Sequence, residues 1–350
     1  MSLLPWRRRV KKHNNPALSR LILVLCAGLA QAAYCSDASR AGGRTQQAQD
    51  ETTEQNKEAA PQPSSPPKAD ENAPDLAFGA YQRGYYVTAL AEAMKRIAAN
   101  PDDAAAMTLV GELYAQGLGV RRDAKEAVRW YKLASDRGDR QATFRLALAN
   151  LVGDGTPKDR DEAQKLFEKA AAQDHPGALY NLGVMAIENK GGAAPDFTKA
   201  AKLFEQAADL GDSDAAYALG LLYRNGTGVE KSDERAAEWI ARSAKDNNVP
   251  AEIEYAIMLF NGVGVPKDET AAARLFLKAA ARDNPVAQNR AARVLAAGRG
   301  LPKDMVEAMK WHILARAAGV KDKWLDGELA KLTPKEKEAV QAAVRQYIGR

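Results

Sequence analysis

The chain has 350 residues, with 50 basic and 45 acidic side chains and a formal charge of +5. The positive excess lies in residues 1–33, which contain six basic residues and no acid and leave 44 basic against 45 acidic side chains elsewhere. This balance excludes the concentrated basic surface of nucleic-acid-binding proteins, so no nucleic-acid partner is expected. The two cysteines are Cys26 and Cys35, both near the N-terminus, and no internal disulfide is expected in the mature chain.

Residues 1–33 have the pattern of a secretory signal peptide. A basic stretch precedes the apolar run Leu21–Ala33, and Ala30-Gln31-Ala32 fits a small-residue cleavage site. As a helix the run is about 20 Å long, whereas a membrane span needs about 20 residues. We expect a cleaved signal and a periplasmic or secreted protein; the alternative is an uncleaved inner-membrane anchor, with membrane contact only through the leader.

The next segments differ sharply in composition. Residues 34–74 are rich in Gln, Glu, Pro and Ser and have few large apolar side chains, which predicts a disordered linker. Residues 75–103 carry apolar side chains at helical spacing and predict a capping pair of helices.

Residues 104–319 repeat one plan six times. An alanine is followed five residues later by glycine or alanine, at intervals of 36, 36, 37, 36 and 36 residues. A fixed period of this size is typical of a solenoid whose units bury their apolar faces on one another. The six pairs are Ala106 with Gly111, Ala142 with Ala147, Ala178 with Gly183, Ala215 with Gly220, Ala251 with Ala256, and Ala287 with Ala292.

The sequence predicts that each repeat consists of two helices joined by a turn. A Gly-x-Gly turn such as Gly262-Val-Gly264 ends the first helix, and an aspartate or serine caps the second. The small residue predicts a helix crossing too close for a larger side chain. Repeat three departs from the plan at 189–195 and predicts a longer turn. Residues 320–350 predict capping helices, with a capping box at Thr333-Pro-Lys-Glu336.

The repeats resemble Sel1-like repeats, relatives of the tetratricopeptide repeat. The resemblance rests on strings such as Ala215-Ala-Tyr-Ala-Leu-Gly-Leu-Leu-Tyr223, Gly226-Thr-Gly-Val229 and Ala236-x-x-Trp239. It implies an all-α fold, an α/α superhelical solenoid, and a role as a protein-interaction scaffold. Exported bacterial members of the family include periplasmic regulators of a sensor kinase. A cysteine-rich subgroup is linked to penicillin binding, but this chain lacks its paired cysteines.

The sequence offers no catalytic constellation. After the leader only His175 and His312 remain, and we expect solvated or edge histidines. No zinc-binding spacing, dinucleotide fingerprint or phosphate loop occurs, so neither a metal nor a cofactor is expected. The sequence therefore predicts a protein that is not an enzyme.

The first helices are expected to line a concave groove. Apolar residues recur there in repeats two to five, with polar residues at both ends, a pattern suited to a peptide or helix of a partner. The alternative is that these residues are buried between adjacent first helices. The predicted partner-binding residues are Phe144, Leu148, Tyr180, Val184, Tyr217, Leu221, Ile253 and Ile257, with Glu112 and Arg293 at the ends.

These patterns together predict an exported, non-enzymatic scaffold. Its expected partner is an envelope protein or peptide segment, for example a membrane sensor kinase or an assembly complex. The alternative functions are binding of peptidoglycan or another cell-wall component and, less favoured, a hydrolase that interacts with β-lactams.

Overall fold

The computed structural model describes residues 75–188 and 194–349. The predicted signal peptide (1–33) and linker (34–74) lie outside the described residues, as does most of the longer turn predicted at 189–195.

Residues 75–188 and 194–349 contain sixteen helices and no strand, which confirms the all-α class. None of these helices is long and apolar enough to cross a membrane. The helices are α1 Leu76–Gln82, α2 Tyr86–Ala99, α3 Ala104–Gln116, α4 Ala124–Asp136, α5 Arg140–Val152, α6 Arg160–Ala171, α7 Pro176–Ile187, α8 Phe197–Asp209, α9 Ser213–Asn225, α10 Asp233–Lys245, α11 Val249–Asn261, α12 Glu269–Ala280, α13 Pro285–Ala297, α14 Met305–Ala317, α15 Lys323–Lys331 and α16 Pro334–Ile348.

The described chain falls into two units, an N-terminal unit of residues 75–173 and a C-terminal unit of residues from 174 onward. Within each unit the two helices of a repeat pack against each other, and each pair packs on the next. This arrangement is the α/α solenoid stacking that the 36-residue period predicts.

The small residue of the first helix marks the point where the second helix crosses it. A Cβ atom on Gly183 would lie 2.5 Å from Cε1 of Phe204, and one on Gly111 would lie 2.6 Å from Cε1 of Tyr131. Phe204 is fully buried, so its ring has no free space to move into. The predicted close crossing is confirmed: glycine leaves room for a large side chain of the second helix.

The Gly-x-Gly turns have two separate requirements. Gly262 ends α11 with φ 70°, a left-handed conformation that glycine adopts without steric cost. Gly264 lies against the backbone of the previous second helix, where a Cβ atom would collide with the carbonyl oxygen of Asp233. Both glycines thus adopt the left-handed conformation, and the second also allows close contact between repeats.

The predicted caps of the second helices are confirmed. Asp123, Asp159, Ser232, Asp268 and Asp304 each accept a hydrogen bond from a backbone amide of the first turn. These bonds satisfy amides that have no partner within the helix.

Helix α16 packs on α14 at the C-terminal end. Val340 is buried, and the Tyr347 ring meets the Trp311 ring edge-on with centroids 5.1 Å apart. The capping box predicted at Thr333 and Glu336 is present. Ile348, at the end of α16, is 70% exposed.

Candidate functional site

In the N-terminal unit the predicted binding residues lie on α3 and α5. Phe144 and Leu148 are half-buried, and the Phe144 ring lies 5.9 Å from the Phe167 ring of α6. Glu112 forms an ion pair with Arg145, and its side chain is only 13% exposed. The negative charge of Glu112 on α3 is therefore neutralised by Arg145 on α5, the first helix of the next repeat.

In the C-terminal unit the predicted residues divide by burial. Tyr180, Val184, Leu221 and Ile253 are buried. The ring of Tyr180, for example, lies 5.6 Å from the Phe204 ring and contributes to packing within its own repeat. Tyr217 and Ile257 are half-buried, and Arg293 is exposed. That these residues bind a partner stays a prediction.

Two of the predicted residues, Ile257 and Arg293, line a solvent-open cleft of about 470 Å³ in the C-terminal unit. The cleft lies between the first helices of repeats five and six, α11 and α13, and is completed by Phe276 of α12 and by Trp324 of α15. The lining residues are Ile257, Phe260, Asn261, Phe276, Arg290, Arg293, Val294, Ala297, Arg299 and Trp324.

Two cleft arginines are held by acidic side chains of neighbouring elements. Arg293 donates from Nε to Oδ2 of Asp322 at 2.6 Å and from Nη2 to Oδ1 at 2.9 Å. Arg299 donates from Nε to Oε2 of Glu269 at 3.0 Å. Paired bonds of this kind fix a planar guanidinium in one orientation.

The same two arginines also lie over aromatic rings of the cleft. The guanidinium carbon of Arg299 is 4.2 Å from the centre of the Phe260 ring, and that of Arg293 is 5.5 Å from the Trp324 ring. Cations at this distance are attracted to the ring face. The aromatic surface and the cations of the cleft are therefore ordered together.

Both carboxylates that pair with the cleft arginines are ionised at neutral pH. Burial alone raises the pKa of Asp322, but hydrogen bonds from Arg293 and Asn289 outweigh it and lower the pKa to about 2. Hydrogen bonds from Arg299 and Lys267 lower the pKa of Glu269 to about 2. Two of the three cleft arginines are therefore neutralised by acids outside the lining.

The third arginine, Arg290, is exposed on α13. It has no ion pair or hydrogen bond with any side chain in the part of the chain that the structure describes. The cleft thus keeps one uncompensated positive charge beside an apolar surface.

The sequence prediction missed Phe260, Arg290, Arg299 and Trp324. Three arginines within ten residues of repeat six were a usable signal, because no other repeat has such a cluster at these positions. Trp324 follows the repeats, and the period gives no rule for where its ring lies.

Both histidines are buried, whereas the sequence predicted solvated or edge positions. His175 is 8% exposed, and its ring accepts the Ala178 amide at the start of α7. His312 is fully buried, with Nε2 2.9 Å from Oδ1 of Asp326. Among the described residues no group of His, Cys, Asp and Glu side chains is arranged to hold a metal ion.

Glu252 is a buried charge that the period did not reveal. Its side chain is fully buried in α11, and the carboxylate lies 2.8 Å from Nζ of Lys278 and pairs with Arg282, both from α12 or its C-terminal end. These cations, each partly exposed, compensate the cost of burying the carboxylate.

The sequence model of the Sel1 repeat matches six segments, which together span residues 104–320. The segments are 104–139, 140–175, 176–212, 213–248, 249–284 and 285–320.

One similar solved structure is that of a Sel1 repeat protein from Oxalobacter formigenes. It is 33% identical, with a TM-score of 0.63, and the match covers 69% of this chain and 98% of that one.

Two curated proteins of Schizosaccharomyces pombe match a shorter stretch. Chitin synthase regulatory factor 3 is 30% identical over 83 residues, and chitin synthase regulatory factor 2 is 33% identical over 81. Each match spans 23% of this chain but only 9% and 16%, respectively, of those proteins.

Proposed function

The chain belongs to the Sel1 repeat family, and on this premise we propose that it is an exported, non-enzymatic scaffold that binds another protein of the bacterial envelope. A Sel1-repeat fold suggests a protein-interaction scaffold, because its stacked helices present long surfaces to partners. The envelope partner, the exported location and the lack of catalysis are the parts that we propose.

The observation that carries the proposal is the cleft between α11 and α13. It opens to solvent and combines apolar side chains, an exposed tryptophan and arginines. Tryptophan and arginine are the residue types that contribute most binding energy at protein interfaces.

Export is supported by the N-terminal sequence. The basic stretch, the apolar run of 21–33 and the small residues at 30–32 are the parts of a signal peptide. We propose a periplasmic or secreted protein, with the inner-membrane anchor as the alternative. N-terminal sequencing of the protein from cell fractions distinguishes them, because only cleavage removes residues 1–33.

The proposed role is regulation of a membrane sensor kinase or an assembly complex by binding. The two curated proteins that match 23% of this chain are named regulatory factors of a chitin synthase. Their names favour regulation over catalysis. Since the match covers a small part of those proteins, their target is not transferred to this chain.

Site-specific photo-crosslinking in living cells tests the proposal. A photoreactive amino acid replaces Ile257 in the cleft, and the control places it at Leu133, an exposed apolar residue of α4 outside the cleft. We expect one envelope protein to crosslink from position 257 and not from position 133. Equal products from both positions, or none from either, contradict the proposal.

Sedimentation with purified peptidoglycan tests the cell-wall alternative. A scaffold for proteins stays in the supernatant, whereas a cell-wall binder pellets with the sacculi. Pelleting that soluble peptidoglycan fragments abolish would favour the alternative.

A further inference from the structure

We propose that the cleft formed by α11, α13 and α15 binds an acidic peptide segment that inserts one aliphatic or aromatic side chain. This inference rests on the proposed function and names the chemistry of the partner segment. It follows from three features of the cleft: its apolar floor, its ordered aromatic and cationic walls, and its single uncompensated charge.

The floor of the cleft is apolar. Ile257, Phe276 and Val294 line it from three successive helices of repeats five and six. Its volume of about 470 Å³ is within the range of about 300 to 1,000 Å³ typical of ligand pockets. Burying an aliphatic or aromatic side chain there is favourable, because both surfaces lose contact with water.

The walls are ordered before any ligand binds. Asp322 holds Arg293 over the Trp324 ring, and Glu269 holds Arg299 over the Phe260 ring. A ligand therefore has few side chains to immobilise, which reduces the entropic cost of binding. Asp322 also accepts the Trp324 amide at 3.2 Å, so the tryptophan backbone and the arginine are held by one carboxylate.

The charge of the cleft selects an acidic ligand. Arg290 lines the cleft, is exposed, and has no acidic partner in residues 194–349. A carboxylate next to the inserted side chain would pair with it, and charge-assisted bonds of arginine to carboxylate are both strong and directional.

A polyanion is the less favoured ligand. Asp322 and Glu269 already neutralise two of the three arginines, and a single free cation provides little of the affinity that nucleic acids or other phosphate polymers require. The apolar floor would stay uncovered by such a ligand. A peptide with both a carboxylate and an apolar side chain satisfies both parts of the cleft.

Selection from a phage-displayed library of random dodecapeptides on the purified full chain tests the proposal. We expect enrichment of peptides in which Asp or Glu is adjacent to Leu, Ile, Phe, Tyr or Trp. Enrichment of basic or uncharged peptides, or no enrichment, overturns the proposal.

A fluorescein-labelled peptide from the selection then measures affinity by anisotropy. Arg290→Glu should weaken binding by about tenfold or more, because it replaces attraction by repulsion. The matched control is Arg274→Glu, the same charge change at an exposed arginine of α12 outside the cleft, and it should leave the affinity unchanged. Equal affinities of the two variants overturn the proposal.

Folding and the proposed function are checked separately. Arg290 is exposed and unpaired, so Arg290→Glu should unfold at the same temperature as the unsubstituted protein. If the crosslinked partner persists in cells carrying Arg290→Glu, the inference about the acidic segment fails while the scaffold function stands. If no partner crosslinks to the unsubstituted protein although the acidic peptide binds in solution, the proposed function fails alone.

Discussion

Repeats one and six place opposite charges at the same position of the first helix. Glu112 follows the small residue Gly111, and Arg293 follows Ala292. Each charge is neutralised by an opposite charge about one repeat further on, Arg145 for Glu112 and Asp322 for Arg293. The first helices of repeats one and six therefore follow the same repeat plan, with a close helix crossing and a paired charge. They differ in the residues that surround the charged side chain.

The surroundings decide whether a cleft forms. At repeat six the partner acid belongs to the start of α15, and that helix also brings Trp324 to the first helices. Arg290 adds an unpaired cation beside them. The difference teaches that the repeat supplies the scaffold, whereas side chains that differ between repeats, together with Trp324 beyond the last repeat, shape the candidate binding surface.

Disrupting the close helix crossing within a repeat should have the largest effect on stability. Gly111→Leu forces a side chain into the ring of Tyr131, which is 4% exposed and has little space to move. We expect a loss of about 3 kcal/mol or more in the free energy of unfolding, measured by urea denaturation. The matched control is Gly327→Leu in α15, where an added Cβ meets nothing within 4 Å.

The control should be neutral or gain up to about 1 kcal/mol, because leucine favours helix more than glycine. Equal losses in the two variants would show that glycine at position 111 is not needed for the helix crossing.

Removing the partner charge should separate the two ends. Asp322→Ala removes a buried carboxylate that pairs with Arg293 and caps α15, and we expect a loss of about 3 kcal/mol. Glu112→Ala removes a partly exposed pair and should cost about 1 kcal/mol. Urea denaturation measures both losses, and equal values would mean that the two ends are anchored alike.

A pH dependence should sharpen the contrast between two capping aspartates. The pKa of Asp322 is lowered from 3.8 to about 2, so its stabilisation is present above about pH 4 and is lost as the pH falls toward 2. The expected loss is about 2 kcal/mol. Burial raises the pKa of Asp212 to about 6, so its contribution has the opposite sign and stability increases as the pH falls from 6 toward 4.

Thermal unfolding against pH checks both signs. Asp322→Asn should flatten the profile between pH 2 and 4, and Asp212→Asn should flatten it between pH 4 and 6, since asparagine caps a helix without titrating. A profile of Asp322→Asn that still falls toward pH 2 as steeply as that of the unsubstituted protein would contradict the role assigned to its carboxylate.

The sequence predicted the helix crossings and the helix caps because these features recur in every repeat. Gly183 and Gly111 stand at one register, and in each case a large side chain of the second helix fills the space that the missing Cβ leaves. The caps Asp123 and Ser232 were predictable for a similar reason, because capping depends on residues close in sequence.

The burial of the first-helix face was not predictable from the period. Val184 is 2% exposed, whereas the equivalent Leu148 is half-buried and Arg293 is exposed. Glu252 shows the same limit, since its charge gave no sign that Lys278 and Arg282 would enclose it. The exposure of a first-helix side chain depends on neighbours about one repeat away. The side chains of these neighbours differ from one repeat to the next.

The sequence by itself determined the helices, their turns and the close crossing within each repeat, because these depend on residues at fixed short spacings. The tertiary structure alone decided the cleft, since it brings together side chains from Ile257 to Trp324 that no single repeat contains. Contacts between repeats, and not the period, placed Arg290 as a free cation beside an apolar floor.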